Sequence, residues 1–101
     1  MIGVFDLIRI NRFQELCSRD VDSLLDEGGL DYSRNLVEGD SESYMVYKVG
    51  GGERIEVYIY EDEAGFYFGD DWYVFEAQDY PSLDLLRRSF FERLKGRVLS
   101  L

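Results

Sequence analysis

A change in the spacing of apolar residues near Ser43 constrains the fold of this chain more than any other feature. Before it, apolar side chains recur every three or four positions, which predicts an amphipathic helix over residues 4–26. After it, Ile55, Val57 and Ile59 alternate with other residues, which is the period of a strand with one buried face. A helix followed by strands indicates an α+β domain.

The start of the first helix admits two interpretations. In the first, one helix runs through residues 4–26, and Gly28 and Gly29 end it because glycine tolerates the left-handed conformation. In the second, a short helix comes first and Asn11 caps a new one, with Gln14 completing a capping box. The continuous apolar stripe favours the single helix.

Residues 44–77 predict four short strands, because turn sequences rich in glycine and acidic residues interrupt the alternating pattern. These turn sequences are Gly50–Gly52, Asp62–Gly65 and Gly69–Asp71. Residues 30–42 show no clear period and are expected to form a connector between the helix and the sheet.

Pro81 and Ser82 predict the start of a last helix over about residues 82–96, because serine is a good N-cap. The apolar stripe of this helix is predicted to consist of Leu83, Leu86, Phe90 and Leu94. The predicted fold class is therefore α+β, as a single domain over residues 1–101. It has an N-terminal helix, a four-stranded antiparallel meander and a C-terminal helix, with both helices on one face of the sheet.

Reactive side chains are scarce in this sequence. It has no histidine, the commonest general base and metal ligand. Its one cysteine, Cys17, lies on the apolar stripe of the first helix and is expected to be a core residue. We therefore expect a protein that is not an enzyme and that uses no cofactor and no metal. The alternatives are a carboxylate-dependent hydrolase and a cation site in the acidic turns.

The net charge of −10 is distributed unevenly along the chain. Residues 1–81 hold 19 acidic and 6 basic side chains, whereas residues 82–101 hold 2 acidic and 5 basic ones. Such a charge repels phosphate backbones and anionic membranes and attracts basic surfaces. The expected partner is therefore a basic protein surface, such as that of a nucleic-acid-binding protein, and not nucleic acid or a membrane. The alternative is that the acidity serves only solubility or adaptation to an environment.

Two groups of residues are the candidate partner-binding site. The acidic group consists of Glu53, Glu56, Glu61, Asp62, Glu63, Asp70 and Asp71. The aromatic group consists of Tyr58, Tyr60 and Tyr67, which point away from the helices if Ile55, Val57 and Ile59 face them. Exposed tyrosine supplies contact area at low entropy cost, and acids steer a basic partner. The alternatives are solvated turns and aromatic pairs that only stabilise the sheet.

A resemblance adds a second functional hypothesis. The segment Ile55–Phe68, followed by Tyr80-Pro81-Ser82-Leu83, resembles the half-fold of HicB-like antitoxins: a strand, an acid-rich turn, a strand and a capped helix. This resemblance implies an antitoxin or immunity protein.

The preferred hypothesis is an acidic inhibitor or nucleic-acid mimic of the phage or mobile-element type. A further alternative is a structural subunit or homodimer joined through the tyrosine face. The single cysteine and the absence of a long apolar run make the cytoplasm the expected location.

Overall fold

The computed structural model describes residues 10–101, which form two helices and one antiparallel sheet. The elements in chain order are α1 (Arg12–Glu27), β1 (Tyr32–Glu38), β2 (Ser43–Val49), β3 (Ile55–Ile59), β4 (Glu63–Phe68), β5 (Asp71–Glu76), a short 3₁₀ turn (Ala77–Asp79) and α2 (Leu83–Val98). The predicted α+β class, with one helix before the sheet and one after it, is confirmed.

The sheet has five strands in the order β1-β2-β3-β4-β5, each antiparallel to its neighbour. The four strands predicted within residues 44–77 are present. The prediction of a connector over residues 30–42 is wrong, because β1 lies within it and pairs with β2 from Tyr32 opposite Val49 to Glu38 opposite Ser43. As an edge strand, β1 carries polar residues on both faces and so lacks a clear apolar alternation.

The first helix begins at Arg12, and the interpretation with a cap at Asn11 is confirmed. The Asn11 backbone is extended, and its side chain accepts a hydrogen bond of 2.9 Å from the Gln14 amide. The Gln14 side chain in turn accepts one of 3.0 Å from the Asn11 amide, which completes the capping box. The single helix over residues 4–26 is therefore wrong at Asn11, and its first part, residues 4–9, lies outside the described residues.

Both helices pack on one face of the sheet and enclose the apolar core there. Cys17 is fully buried in this core, as predicted, and burial raises its thiol pKa to about 12. The buried Gln14 amide donates to the Ser43 carbonyl at 2.8 Å, and the Tyr47 hydroxyl donates to the Ser18 carbonyl at 3.1 Å. These two bonds tie α1 to the sheet in a fixed register.

The last helix begins after Ser82, whose hydroxyl accepts a hydrogen bond of 3.2 Å from the Leu85 amide. Its buried stripe consists of Leu86, Phe90, Leu94 and Val98. Leu83, which was predicted to belong to this stripe, is 39% exposed because it lies in the first turn, beyond the edge of the core. Within residues 10–101, no helix is long and apolar enough to cross a bilayer.

Candidate functional site

One face of the sheet is covered by neither helix of residues 10–101. Side chains alternate between the two faces of a strand, so the residues between the buried Ile55, Val57 and Ile59 point away from the core. We call this surface the open face, and define it by Tyr44, Tyr58, Tyr60, Tyr67, Trp72 and Val74; Val46 points to the same side but is only 8% exposed. Trp72 and Val74 are 43% and 42% exposed, an unusual exposure for large apolar side chains on neighbouring positions of one face.

The aromatic rings of the open face contact one another across the strands. The Tyr67 and Trp72 ring centroids lie 4.5 Å apart, and Tyr58 and Trp72 are in edge-to-face contact at 6.1 Å. Gly65 makes this arrangement possible, because a Cβ atom there would lie 2.7 Å from Cη2 of the indole. The Trp72 ring therefore lies over β4 in the space that a side chain at Gly65 would occupy. This packing holds the rings of Tyr58, Tyr67 and Trp72 in a preformed arrangement, which we call the aromatic cluster.

The structure places the three predicted tyrosines, Tyr58, Tyr60 and Tyr67, on the open face. The analysis of the sequence missed Tyr44 and Trp72, which lie on the same face. The pairing register could not be read from the sequence, although the alternation of Trp72 with Val74 along β5 is a signal that could have assigned both residues to one face.

Arg54 packs against the Tyr67 ring of this aromatic cluster. Its guanidinium carbon lies 4.0 Å from the Tyr67 ring centroid, and its Nε and Nη2 donate to the Glu56 carboxylate at 3.2 and 3.3 Å. The Tyr58 hydroxyl donates to the same carboxylate at 2.8 Å. The bond from Arg54, together with that from Tyr58, lowers the pKa of Glu56. Glu56, one of the predicted acidic residues, is thus neutralised within the chain.

The predicted acidic residues do not form one cluster. Glu61, Asp62 and Glu63 lie in the β3–β4 hairpin at one end of the sheet, whereas Asp70 lies in the β4–β5 turn at the other end. The six residues of β4 separate the two ends, about 17 Å at roughly 3.3 Å per residue. Glu53 lies at the same end as Asp70, in the β2–β3 loop.

The far end also carries cations. Asp71 forms an ion pair of 3.6 Å with Arg97 of α2, which also packs over the Phe68 ring at 4.3 Å. Arg54 lies at this end as well. The charge of the far end is therefore mixed, and it is a weaker attractor of a basic partner than the sequence suggested.

The end that holds Glu61, Asp62 and Glu63 gains three further acids from neighbouring elements. The β1–β2 hairpin contributes Asp40 and Glu42, and the last residue of β5 contributes Glu76. We call this set the acidic end: Asp40, Glu42, Glu61, Asp62, Glu63 and Glu76. The sequence did not indicate the three additional acids. The position of Asp40 and Glu42 depends on β1, which was not predicted, and that of Glu76 depends on the register of β5.

Charge at the acidic end is not compensated within residues 10–101, where none of its six carboxylates forms an ion pair. Glu63 lies directly opposite Glu76 in the β4–β5 register. Partial burial, followed by repulsion from Glu76, Asp62 and Glu42, raises the pKa of Glu63. Glu76 accepts a hydrogen bond of 2.8 Å from the uncharged Gln78 amide. Like charges are thus held close together, next to the open face.

Other surfaces of the described part offer less. No group of three or more His, Cys, Asp or Glu side chains within residues 10–101 is arranged to hold a metal ion. A groove between the starts of the two helices, lined by Phe13, Leu16 and Leu83 among others, has a volume of about 190 Å³. Small-molecule sites usually enclose roughly 300–1,000 Å³. The open face with the acidic end is therefore the best candidate site.

No protein-family model, no curated protein and no solved structure matches the chain. The geometry and charge of the site are therefore the observations that bear on its function.

Proposed function

We propose that this chain is a non-enzymatic protein-binding module whose open face and acidic end hold a basic surface of another protein. By covering that surface, it acts as an inhibitor, and where the partner binds nucleic acid it acts as a mimic of the phosphate backbone. The observation that supports this proposal most strongly is a preformed aromatic cluster beside six carboxylates that form no ion pair within residues 10–101.

The open face and the acidic end contribute to binding in different ways. Tyrosine and tryptophan bury large areas with few rotatable bonds, so the side chains of an aromatic cluster that is already ordered lose little conformational entropy on binding. Uncompensated carboxylates raise the association rate with a basic partner and reject acidic ones. A net charge of −10 extends this attraction beyond the contact area.

A charge-matched pair of variants tests the proposal. The first variant carries Glu42→Lys, Glu63→Lys and Glu76→Lys at the acidic end. The control carries the same number of reversals at exposed acids elsewhere that form no ion pair within the described part of the chain: Glu27→Lys, Asp31→Lys and Glu92→Lys. Both variants have the same net charge, so non-specific attraction is reduced equally in both.

The assay is capture of partners from a lysate of the native host at low and high salt, followed by affinity measurement with the purified partner. We expect the acidic-end variant to lose binding of a basic protein, and the control to keep most of it. Equal losses in both variants, or capture of acidic proteins, would contradict the proposal. Circular dichroism checks that both variants are folded.

An antitoxin of HicB-like character is a narrower form of the same proposal, in which the basic partner is one cognate toxin. A toxin gene beside the gene for this chain would favour it, and a locus of phage anti-defence genes would favour the general inhibitor.

A homodimer through the open face is the second candidate function, and the exposure of Trp72 and Val74 supports it. Repulsion between two acidic ends opposes it. Light scattering distinguishes a monomer from a homodimer. A monomer at millimolar concentration excludes the dimer, whereas a dimer that Trp72→Ser dissociates establishes it.

A further inference from the structure

We infer that the open face contains a binding site for an arginine side chain of the partner, formed by the Tyr44 and Tyr60 rings beside Glu63. We call it the vacant seat because no cation of residues 10–101 occupies it. This inference rests on the proposed function and deepens it, since it specifies arginine-bearing rather than merely basic segments as the ligand. The open face has a similar seat that an arginine of the chain itself fills.

The filled seat is formed by Tyr67 and Glu56 and holds Arg54. The guanidinium carbon of Arg54 lies 4.0 Å from the Tyr67 ring centroid, while two of its nitrogens donate to Glu56 at 3.2 and 3.3 Å. A planar guanidinium can stack on a ring and donate two hydrogen bonds at its edge at the same time, which an ammonium cannot. The open face thus already shows the geometry by which it accepts arginine.

The vacant seat has the same components at the other end of β3. The Tyr44 and Tyr60 ring centroids lie 4.9 Å apart with an interplanar angle of 33°, so the two rings are in offset contact and hold each other in place. Glu63 lies on the same face, with Glu76 directly opposite it on β5. Tyr60 and Glu63 are close enough that the charge of Glu63 contributes to a raised pKa of Tyr60, after burial and Tyr44.

No cation of residues 10–101 fills this second seat. Arg54, Arg93, Lys95 and Arg97 lie over aromatic rings, and none of them lies over Tyr44 or Tyr60. Neither Glu63 nor Glu76 has an ion-pair partner there. Carboxylates and ring faces both attract a cation, so the charge complementarity selects a basic side chain, and the flat ring surface selects guanidinium over ammonium.

Two peptides of equal length and charge test the inference. The probes are blocked eight-residue peptides of alternating arginine and serine or alternating lysine and serine. Their affinities for the wild-type chain are measured by calorimetry at low salt. We expect the arginine peptide to bind about two- to fivefold more tightly, since a cation–π contact at an exposed site contributes about 0.5–1 kcal/mol. In NMR spectra, the arginine Cδ protons should shift upfield because they lie over a ring.

Two double variants separate the rings from the charge. Tyr44→Leu with Tyr60→Leu removes both ring faces but keeps an apolar surface, and we expect it to bind the two peptides equally and to abolish the upfield shift. Tyr44→Phe with Tyr60→Phe keeps the rings and serves as the folded control, so the preference for arginine should persist.

The vacant seat is overturned if the wild-type chain binds both peptides equally or neither of them, or if the leucine variant keeps the preference for arginine. The proposed function is judged separately by the charge-reversed variants and the captured partner. Salt-sensitive binding lost in Glu42→Lys, Glu63→Lys and Glu76→Lys but unchanged in the leucine variant would therefore remove the arginine seat alone.

Discussion

Removal of the charge of Glu63 should make the protein more stable, which is uncommon for a substitution within a sheet. Glu63 lies directly opposite Glu76 on neighbouring strands, and Asp62 and Glu42 add to the repulsion. Cross-strand pairs contribute roughly 0.2–1 kcal/mol, and like charges directly opposite each other are destabilising. We therefore expect Glu63→Gln to raise the free energy of unfolding by about 0.5 kcal/mol at pH 7. For a domain of this size, the thermal midpoint should rise by about 2–4 °C.

The pH dependence of this gain follows from the raised pKa of Glu63. The folded state holds the proton more tightly than the unfolded state, whose glutamate has the ordinary value near 4.5. The contribution of Glu63 to stability is therefore fully present below pH 4.5 and is lost as the pH rises through the raised pKa of the folded state. The gain in the free energy of unfolding from Glu63→Gln should therefore be complete above the raised pKa of the folded state and should vanish as the pH falls to 4.5.

Glu56 provides a control of opposite sign on the same face. Arg54 and Tyr58 lower its pKa, so its charge stabilises the fold above pH 4.5 and this stability is lost as the pH falls through its folded-state pKa. Glu56→Gln should lower the free energy of unfolding by about 1 kcal/mol at pH 7, because charge-assisted bonds are lost.

Thermal unfolding followed by circular dichroism, from pH 4 to pH 8 and at about 0.1 and 1 M NaCl, measures both variants. At the higher salt the Debye length shrinks from about 10 Å to about 3 Å, so the gain in Glu63→Gln should shrink too. A lower midpoint for Glu63→Gln at pH 7, or a gain that does not change with pH, would refute the view that the acidic end is uncompensated.

Three further predictions concern the scaffold of the site. Gly65→Ala should lower the free energy of unfolding by about 1–3 kcal/mol and change the fluorescence spectrum of Trp72, because the new Cβ atom would collide with the indole. An unchanged thermal midpoint and an unchanged spectrum would contradict the packing of Trp72 over Gly65. Cys17 should react with a thiol reagent at pH 8 only as fast as the protein unfolds, since it is fully buried and its pKa is about 12; rapid labelling of the native protein would contradict this. Asn11→Ala should cost about 1 kcal/mol in chemical denaturation, because it removes the capping box of α1, and a cost near zero would mean that the cap is not formed in solution.

The periodicity of the sequence was sufficient to predict most of the fold, but it could not reveal the edge strand β1. Arg34 and Tyr32 occupy positions on the helix side of β1 where an apolar residue would have marked a strand. Arg34 forms an ion pair of 2.8 Å with Asp22 of α1, and the Tyr32 hydroxyl donates to Asp26 at 2.9 Å. These polar contacts with the helix add to the packing of Tyr32 and Leu36 against the core, so the strand depends on tertiary contacts that no local pattern records.

The candidate site shows the same limit. The outward position of Tyr58, Tyr60 and Tyr67 follows from the alternation of β3 and β4, and could be predicted. The grouping of acids depends on which hairpins share an end of the sheet, and hence on the number of strands. With β1 in place, Glu42 joins Glu63, and the register of β5 brings Glu76 beside them. Sequence composition gives the amount of charge, while topology decides where it accumulates.

Site-specific photo-crosslinking tests most directly whether the open face is the binding surface. A photoreactive p-benzoylphenylalanine replaces Val74 on the open face in one variant and Leu85 on α2 in the other. The two positions are a matched pair, since the native side chains are 42% and 40% exposed. With the captured basic partner, we expect a crosslink from position 74 that disappears at high salt, and little or none from position 85. A crosslink mainly from position 85, or equal crosslinking from both, would contradict the assignment of the open face as the site.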